Sequence, residues 1–289
     1  MLQDILVTGL VNGSAYALLA IGFSLIFGVA RIVNIAHTAF YMLAAYCLYV
    51  LLLRGGMGVW LAGVAAVLSV TVLSLVCYRL VIEPVRQHEA AVLISTIALA
   101  LIFQETVLRL FGGNYLGVPS AVEGVVNLFG VVIPWQRLLI LIVAFAMLVA
   151  VWFLLYRTRL GLAIRATAND LEAANLMGMD VNRVAMITVA ISVGLAAIAG
   201  VSVAPVFVVD PFMWLPPLVT VLSVVVLGGL GSIHGSVIGA LVIGYVEAIT
   251  VFALPQGAFL KGAVSLSIMV IVLLVRPEGL FGVAFEEER

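Results

Sequence analysis

The chain runs to 289 residues with a formal net charge of −1, 65% hydrophobic and 9% charged residues, and a mean hydropathy of +1.32. Soluble domains carry about a quarter charged residues, so a water-facing surface for this chain cannot be drawn from its polar side chains. The near-neutral balance lacks the basic footprint of a nucleic-acid binder; membrane lipid is the expected surrounding and no nucleic-acid partner is expected.

A helix needs about 20 apolar residues to cross a bilayer core of roughly 30 Å. The start, Met1-Leu2-Gln3-Asp4, lacks the positive n-region of a secretory signal, and the apolar stretch behind it is too long for one. The first span is therefore expected to stay in the protein. In chain order the candidate spans are 5–30, 35–53, 58–78, 90–110, 138–156, 184–209, 214–230, 236–254 and 259–275. The weakest are 35–53, which opens with His37, and 214–230, which opens with Pro216-Pro217. The predicted fold class is thus all-α: a polytopic transmembrane helix bundle of about nine spans (eight to ten), one or two of them broken, forming a single domain over 1–289. Cys47 and Cys77 lie inside apolar runs and read as buried thiols rather than a disulfide.

Basic residues set the orientation. Arg79 and Arg86 flank one loop, Arg157, Arg159, Arg165 and Arg183 crowd another, and Arg276 follows the last span. Placing these inside, as the positive-inside rule asks, also places Arg31 and Arg289 inside and leaves Arg54, Arg109, Arg137 and Lys261 outside. An odd number of crossings follows, with the N-terminus outside and the C-terminus cytoplasmic.

Two loops are long enough for structure of their own. The outer one, 112–136, is rich in Gly, Pro and Asn but carries Val125, Val126, Leu128 and Phe129, and suits a segment lying on the membrane surface or dipping into it. The inner one, 157–183, holds a short helix signal. Asn169 or Asp170 is a good N-cap, Leu171-Glu172-Ala173-Ala174-Asn175-Leu176-Met177 are mostly strong helix formers, and Gly178 follows in the C′ position. Leu171, Ala174 and Met177 share one face. Two turns of helix are marginal alone in water, so the element must dock. A helix lying on lipid headgroups usually carries Lys or Arg; this one carries Asp170, Glu172 and Asp180, which favours a protein partner.

Glu172-Ala173-Ala174, three residues, then Gly178 resembles the EAA-x3-G loop of ABC-importer permeases, whose helix sits in a groove of a cytoplasmic ATPase. More of the chain is similar to branched-chain amino acid importer permeases. The matching blocks are Gly9-Leu10-Val11-Asn12-Gly13-Ser14-Ala15-Tyr16 and the span it opens, Arg31-Ile32-Val33-Asn34-Ile35-Ala36-His37, Met42-Leu43-Ala44-Ala45-Tyr46, Gly228-Gly229-Leu230-Gly231-Ser232-Ile233-His234-Gly235, and Arg276-Pro277-Glu278-Gly279-Leu280-Phe281-Gly282. The compact length resembles the shorter of the two permease subunits. Thr38 departs from the pattern, where glycine is expected.

The resemblance implies a subunit that is not itself an enzyme. It would be coupled to two cytoplasmic ATPases through Asp170, Glu172, Ala173, Ala174 and Gly178, paired with a related permease, and fed by an external substrate-binding protein. This chain has no Walker glycine loop, so ATP and Mg are expected only in the ATPases. Two rival readings share the sequence: an importer of urea or short amides, and an ATP-independent secondary transporter, which would ask for ion-coupling carboxylates such as Glu105 and Glu247.

Within the spans, clustered glycines are expected to let helices approach closely. The run 228–235 reads either as a helix break buried in protein or as an ordinary loop. Glu105 and Arg109, four residues apart, are expected to pair. Glu247, without a local partner, fits either a contact to another helix or the path. His37 and His234 are placed near the cytoplasmic boundary as hydrogen-bonding residues, not metal ligands. Asn34, His37, Gly228, Gly229, Gly231, His234 and Glu247 form the candidate set for the translocation path and its helix break. A faint parallel repeat is suggested by Asn34-Ile35-Ala36-His37 and Gly231-Ser232-Ile233-His234, each ahead of a span.

Overall fold

A computed structural model describes residues 1–128 and 131–282. Nine apolar helices coincide with the nine stretches read from hydropathy: α1 (Leu2–Ala30), α2 (His37–Leu53), α3 (Val59–Cys77), α4 (Glu89–Phe111), α5 (Trp135–Arg157), α8 (Val181–Val203), α9 (Leu215–Gly228), α10 (Ile233–Ala253) and α11 (Gly257–Val275). Two further helices, α6 (Arg159–Asn169) and α7 (Leu171–Leu176), fill the long basic loop. Seven of the nine are long and apolar enough to cross a membrane; α2 and α9 are the shorter two. Both follow non-helical chain packed within the bundle, 31–36 and 204–214. Pro216 and Pro217 fall in the first turn of α9, where the missing N–H groups would have had no helical acceptor anyway.

The outer loop departs from an all-helical chain. Val125–Leu128 and Val131–Pro134 pair as an antiparallel β1–β2 ribbon, with Val126 opposite Ile133. Leu116 and Val209 exchange backbone hydrogen bonds of 2.9 and 3.0 Å, tying this loop to the chain ahead of α9. Phe129, one of the residues that suggested membrane contact, lies outside the described residues.

α1 is the axis of the bundle. Most of its second half is buried, and α10, α8, α5 and α9 pack around it. Lipid chains give apolar helices no reason to leave one another, so tight packing must supply the association. The sequence provides it with small residues: a Cβ placed on Gly244 of α10 would lie 2.6 Å from Gly13 Cα of α1. By contrast α3, α4, α5 and α11 present long rows of exposed Leu, Val, Ile and Phe, as expected of surfaces that meet lipid or another membrane subunit.

The two ends of the bundle are distinct. The ends of α1, α5 and α11 and the starts of α8 and α10 cluster with α6 and α7 at one end, here the α7 end. At the opposite end Trp214 Nε1 donates to Gln104 at 2.8 Å, Gln136 Nε2 donates to Ser202 O, and Arg54 lies 5.3 Å from the Phe111 ring. Arg31, Arg157, Arg159, Arg165 and Arg276 thus share the α7 end, while Arg54 and Arg137 lie at the other. Cys47 and Cys77 are both free thiols.

Candidate functional site

α7 is closed at both ends by its own sequence. Asp170, not Asn169, is the cap: its Oδ1 accepts from Ala173 N at 2.9 Å, while Asn169 ends α6. Gly178 adopts φ +81, a conformation that costs a residue with a Cβ roughly 1–2 kcal/mol. That turn lets Gly178 N donate to Asn175 O and Met179 N donate to Ala174 O, the double bond of a Schellman closure. Only one residue of the predicted apolar face turns inward: Ala174 is buried, whereas Leu171 is exposed. Leu176 and Met177, 87% and 82% exposed, form an apolar tip beside the acidic flank of Glu172.

α6, which sequence reading left as loop, is what holds this knob away from the spans. Thr158 Oγ1 accepts from Gly161 N at 3.0 Å and caps it. A Cβ on Gly161 would overlap Leu154 O, so only glycine permits the tight α5–α6 corner. The signal was present as a Thr-x-x-Gly cap ahead of Leu160, Ile164 and Thr167 on one face.

Behind α7 lies a cleft of about 1320 Å³, bounded by the ends of α1, α5 and α6, the start of α10 and residues 277–282. The Arg165 guanidinium stacks over Tyr156, 4.8 Å from the ring centroid, and the His234 ring lies 6.0 Å from the same tyrosine. His234, in the first turn of α10, is exposed.

The glycine run 228–235 is a break between α9 and α10. Gly228 closes α9, Gly229 and Gly231 take φ +97 and +82, and Ser232 Oγ caps α10 by accepting from Gly235 N. The break is bedded in protein. Gly231 lies against Gly28 of α1, and the C-terminal segment returns along it, with Leu280 N donating to Leu227 O and Phe281 N to Gly228 O. Two sequence blocks almost fifty residues apart thus form one unit, a pairing that hydropathy and spacing do not show.

His37 is elsewhere. It is 0% exposed, and its Nε2–H donates to Leu19 O at 3.1 Å. Leu19 lies eleven residues before the end of α1, roughly 16 Å deep at 1.5 Å per residue. The boundary position expected for His37 is therefore corrected: residues 31–36 run back into the bundle and α2 starts deep inside it. The physical reason is Gly22, whose missing side chain leaves room for the imidazole; a Cβ there would lie 2.9 Å from His37 Cε1 and 2.8 Å from Ser192 O. Asn34 is buried beside it, and among the described residues Asn34 Oδ1, His37 Nδ1 and Thr38 Oγ1 have no hydrogen-bond partner.

Glu247 is also interior, and the contact reading of it is the one the geometry gives. Tyr16 Oη donates to its Oε2 at 2.7 Å, and Thr220 Oγ1 and Ser265 Oγ reach Oε1 at 3.1 and 2.8 Å. One carboxyl group joins α1, α9, α10 and α11. Glu105 pairs with Arg109 at 3.1 Å on an exposed face of α4. No group of three or more metal-binding side chains occurs among the described residues. The candidate residues thus fall into three places: the α7 knob, the α9–α10 break, and an interior that holds Asn34, His37 and Glu247 apart from the cleft.

Fold and sites together define a multi-pass helical membrane protein. Residues 5–273 match the family described as branched-chain amino acid transport system / permease component, and the chain belongs to that family. It is 33% identical to the high-affinity branched-chain amino acid transport system permease protein BraD of Pseudomonas aeruginosa, over 96% of this chain and 94% of that one. It is 32% identical to the corresponding permease protein LivH of Escherichia coli, over 95% and 93%. A solved structure, PsaBC from Streptococcus pneumoniae in complex with Fab, matches with a TM-score of 0.53 over 95% of this chain and 92% of that chain. Its identity is 14%, a likeness of fold alone.

Proposed function

We propose that this chain is the membrane-spanning permease subunit of an ATP-binding-cassette importer that moves branched-chain or related amino acids into the cytoplasm by alternating access. The observation that carries the reading is the α7 knob. A six-residue helix is closed at both ends by its own residues, backed by α6, and tipped with exposed Leu176 and Met177 at the end where the basic residues gather. Its apolar tip and acidic flank suit a groove in a cytoplasmic ATPase, with the N-terminus of the chain outside and the C-terminus inside a plasma (inner) membrane.

Two ATPases, a second related permease and an external binding protein complete the assembly in this reading. ATP and Mg belong to the ATPases; this chain contributes no nucleotide site. Closure of the ATPases would move α7, and through the α6 corner the ends of α5 and α1, rocking the bundle between two openings. The family and the BraD and LivH likenesses support branched-chain amino acids over urea or short amides as cargo. Ion-coupled transport without an ATPase is disfavoured because Glu105 and Glu247 are both engaged in the bundle's own contacts.

The test is uptake by the whole importer with Gly178→Val or Glu172→Lys. Both variants are expected to lose most ATP-driven leucine accumulation while the binding protein still captures leucine outside. Uptake that persists in a complex lacking any ATPase would overturn the reading.

A further inference from the structure

The cleft behind α7 carries a charge pattern of which the coupling role uses only Asp170. Part of its wall is apolar, from Leu25 and Val29 of α1, Leu155 of α5 and Ile164 of α6, and Ser24, Ser232 and His234 line it beside them. Around them stand two cations, Arg31 and Arg165, and two anions, Asp170 and Glu278, contributed by four separate segments. Arg31, Arg165 and Asp170 are exposed and Glu278 is half-buried, and none of the four is in an ion pair among the described residues, where the pairs are Met1–Asp4 and Arg109–Glu105.

One of the four side chains is held by its surroundings: Arg165 stacks over Tyr156. Arg31 ends α1 in a left-handed conformation, φ +52, with its backbone N–H donating to Phe27 O. Asp170 spends Oδ1 on the cap of α7, which leaves Oδ2 available to the cleft.

A ligand is recognised by complementary charge and shape. A phosphate group would satisfy the arginines and face the carboxylates unscreened; a polyamine would do the reverse. A small molecule with one charge of each sign and an apolar remainder matches all three features of the cleft. We propose that this cleft binds a free α-amino acid with an apolar side chain, its carboxylate toward Arg31 and Arg165 and its ammonium toward Asp170 and Glu278. The proposal rests on the importer reading, which puts this end in the cytoplasm where delivered amino acid is released. Occupancy would touch the cap of α7 and the α9–α10 break together, so the site senses the product at the element that the ATPase grips.

The test uses the whole importer in nanodiscs without the external binding protein or nucleotide. Radiolabelled leucine is expected to bind saturably. 4-Methylpentanoate, which lacks the ammonium, and isopentylamine, which lacks the carboxylate, should each compete at least about tenfold more weakly than leucine. Arg165→Gln and Glu278→Gln should each weaken leucine binding by about the same factor; the competitor series on the unaltered complex decides the matter even if a variant fails to assemble. Competition by inorganic phosphate as strong as that by leucine, unchanged binding in both variants, or no leucine binding overturns the proposal. ATP-driven leucine uptake by the same complex, measured in proteoliposomes with the binding protein, separates the two claims. Uptake without cleft binding overturns this inference alone, whereas a complex that takes up no leucine overturns the importer reading beneath it.

Discussion

Two helix starts in this molecule each carry a histidine, Asn34-Ile35-Ala36-His37 into α2 and Gly231-Ser232-Ile233-His234 into α10, and they live in opposite surroundings. His37 begins its helix deep against α1, fully buried, with one ring nitrogen on Leu19 O. His234 begins its helix at the rim, exposed, against the face of Tyr156. The first start is set by what α1 lacks at Gly22; the second by what returns to cover it, the segment 277–282. The echo between them says where helices begin, not what their histidines do. In a bilayer, depth decides the role. A polar group far from water has only the protein to satisfy it, and at the deep start Asn34 Oδ1, His37 Nδ1 and Thr38 Oγ1 go without a partner among the described residues; one at the rim is free to meet a ligand or a partner.

Breaking the deep start is expected to have the largest effect. Gly22→Leu would push a side chain into both Ser192 O and His37, two rigid neighbours. The loss is expected at the upper end of the roughly 1–3 kcal/mol typical of overpacking. The measurement is the yield of monodisperse complex in mild detergent, which should fall sharply.

The four-helix junction at Glu247 comes next. Glu247→Leu leaves Tyr16, Thr220 and Ser265 without their shared acceptor and should cost about 1–3 kcal/mol. Glu247→Gln keeps an acceptor oxygen and should lose much less. Thermal unfolding of the purified complex separates the two, and equal midpoints for both variants would contradict a hydrogen-bonding role.

The two histidines give the sharpest contrast and the smallest absolute effects. His37→Ala is expected to lower stability by about 1 kcal/mol or more, through a lost hydrogen bond and a cavity. His234→Ala should stay within about 0.5 kcal/mol, as exposed substitutions do. A reversal of that order in the same unfolding assay would mean that the burial assigned to the two starts is wrong.

Much of this was legible in the chain itself. Nine apolar stretches became nine helices, and the two flagged as weak, opening with His37 and with Pro216-Pro217, are the two short ones. Caps are written locally, so Asp170 and Gly178 could be read from a dozen residues. Depth is not written locally. Placing His37 needs the knowledge that Leu19 and Gly22 meet it and that Ser192 closes on Gly22 across 170 residues of sequence. The same holds for Glu247, whose three hydroxyl partners are ordinary Tyr, Thr and Ser until the helices are side by side. α6 was missed for another reason. Its polar and basic residues mask a helix in a scan tuned to membrane spans, although its cap and its apolar face were in plain view. Val125, Val126 and Leu128 suggested membrane contact, whereas they form β1, a strand that needs Val131–Pro134 paired beside it.

The account stands on α7 being gripped from the cytoplasm, and one measurement addresses that directly. With Cys47 and Cys77 replaced by alanine, Met177→Cys supplies a single thiol at the exposed tip of the knob. In intact cells it should resist a membrane-impermeant maleimide added outside, and in inside-out vesicles it should crosslink to the ATPase with a yield that changes when nucleotide is bound. Labelling from the outside of intact cells, or a thiol in inside-out vesicles that reacts freely and never crosslinks to an ATPase, would contradict the account.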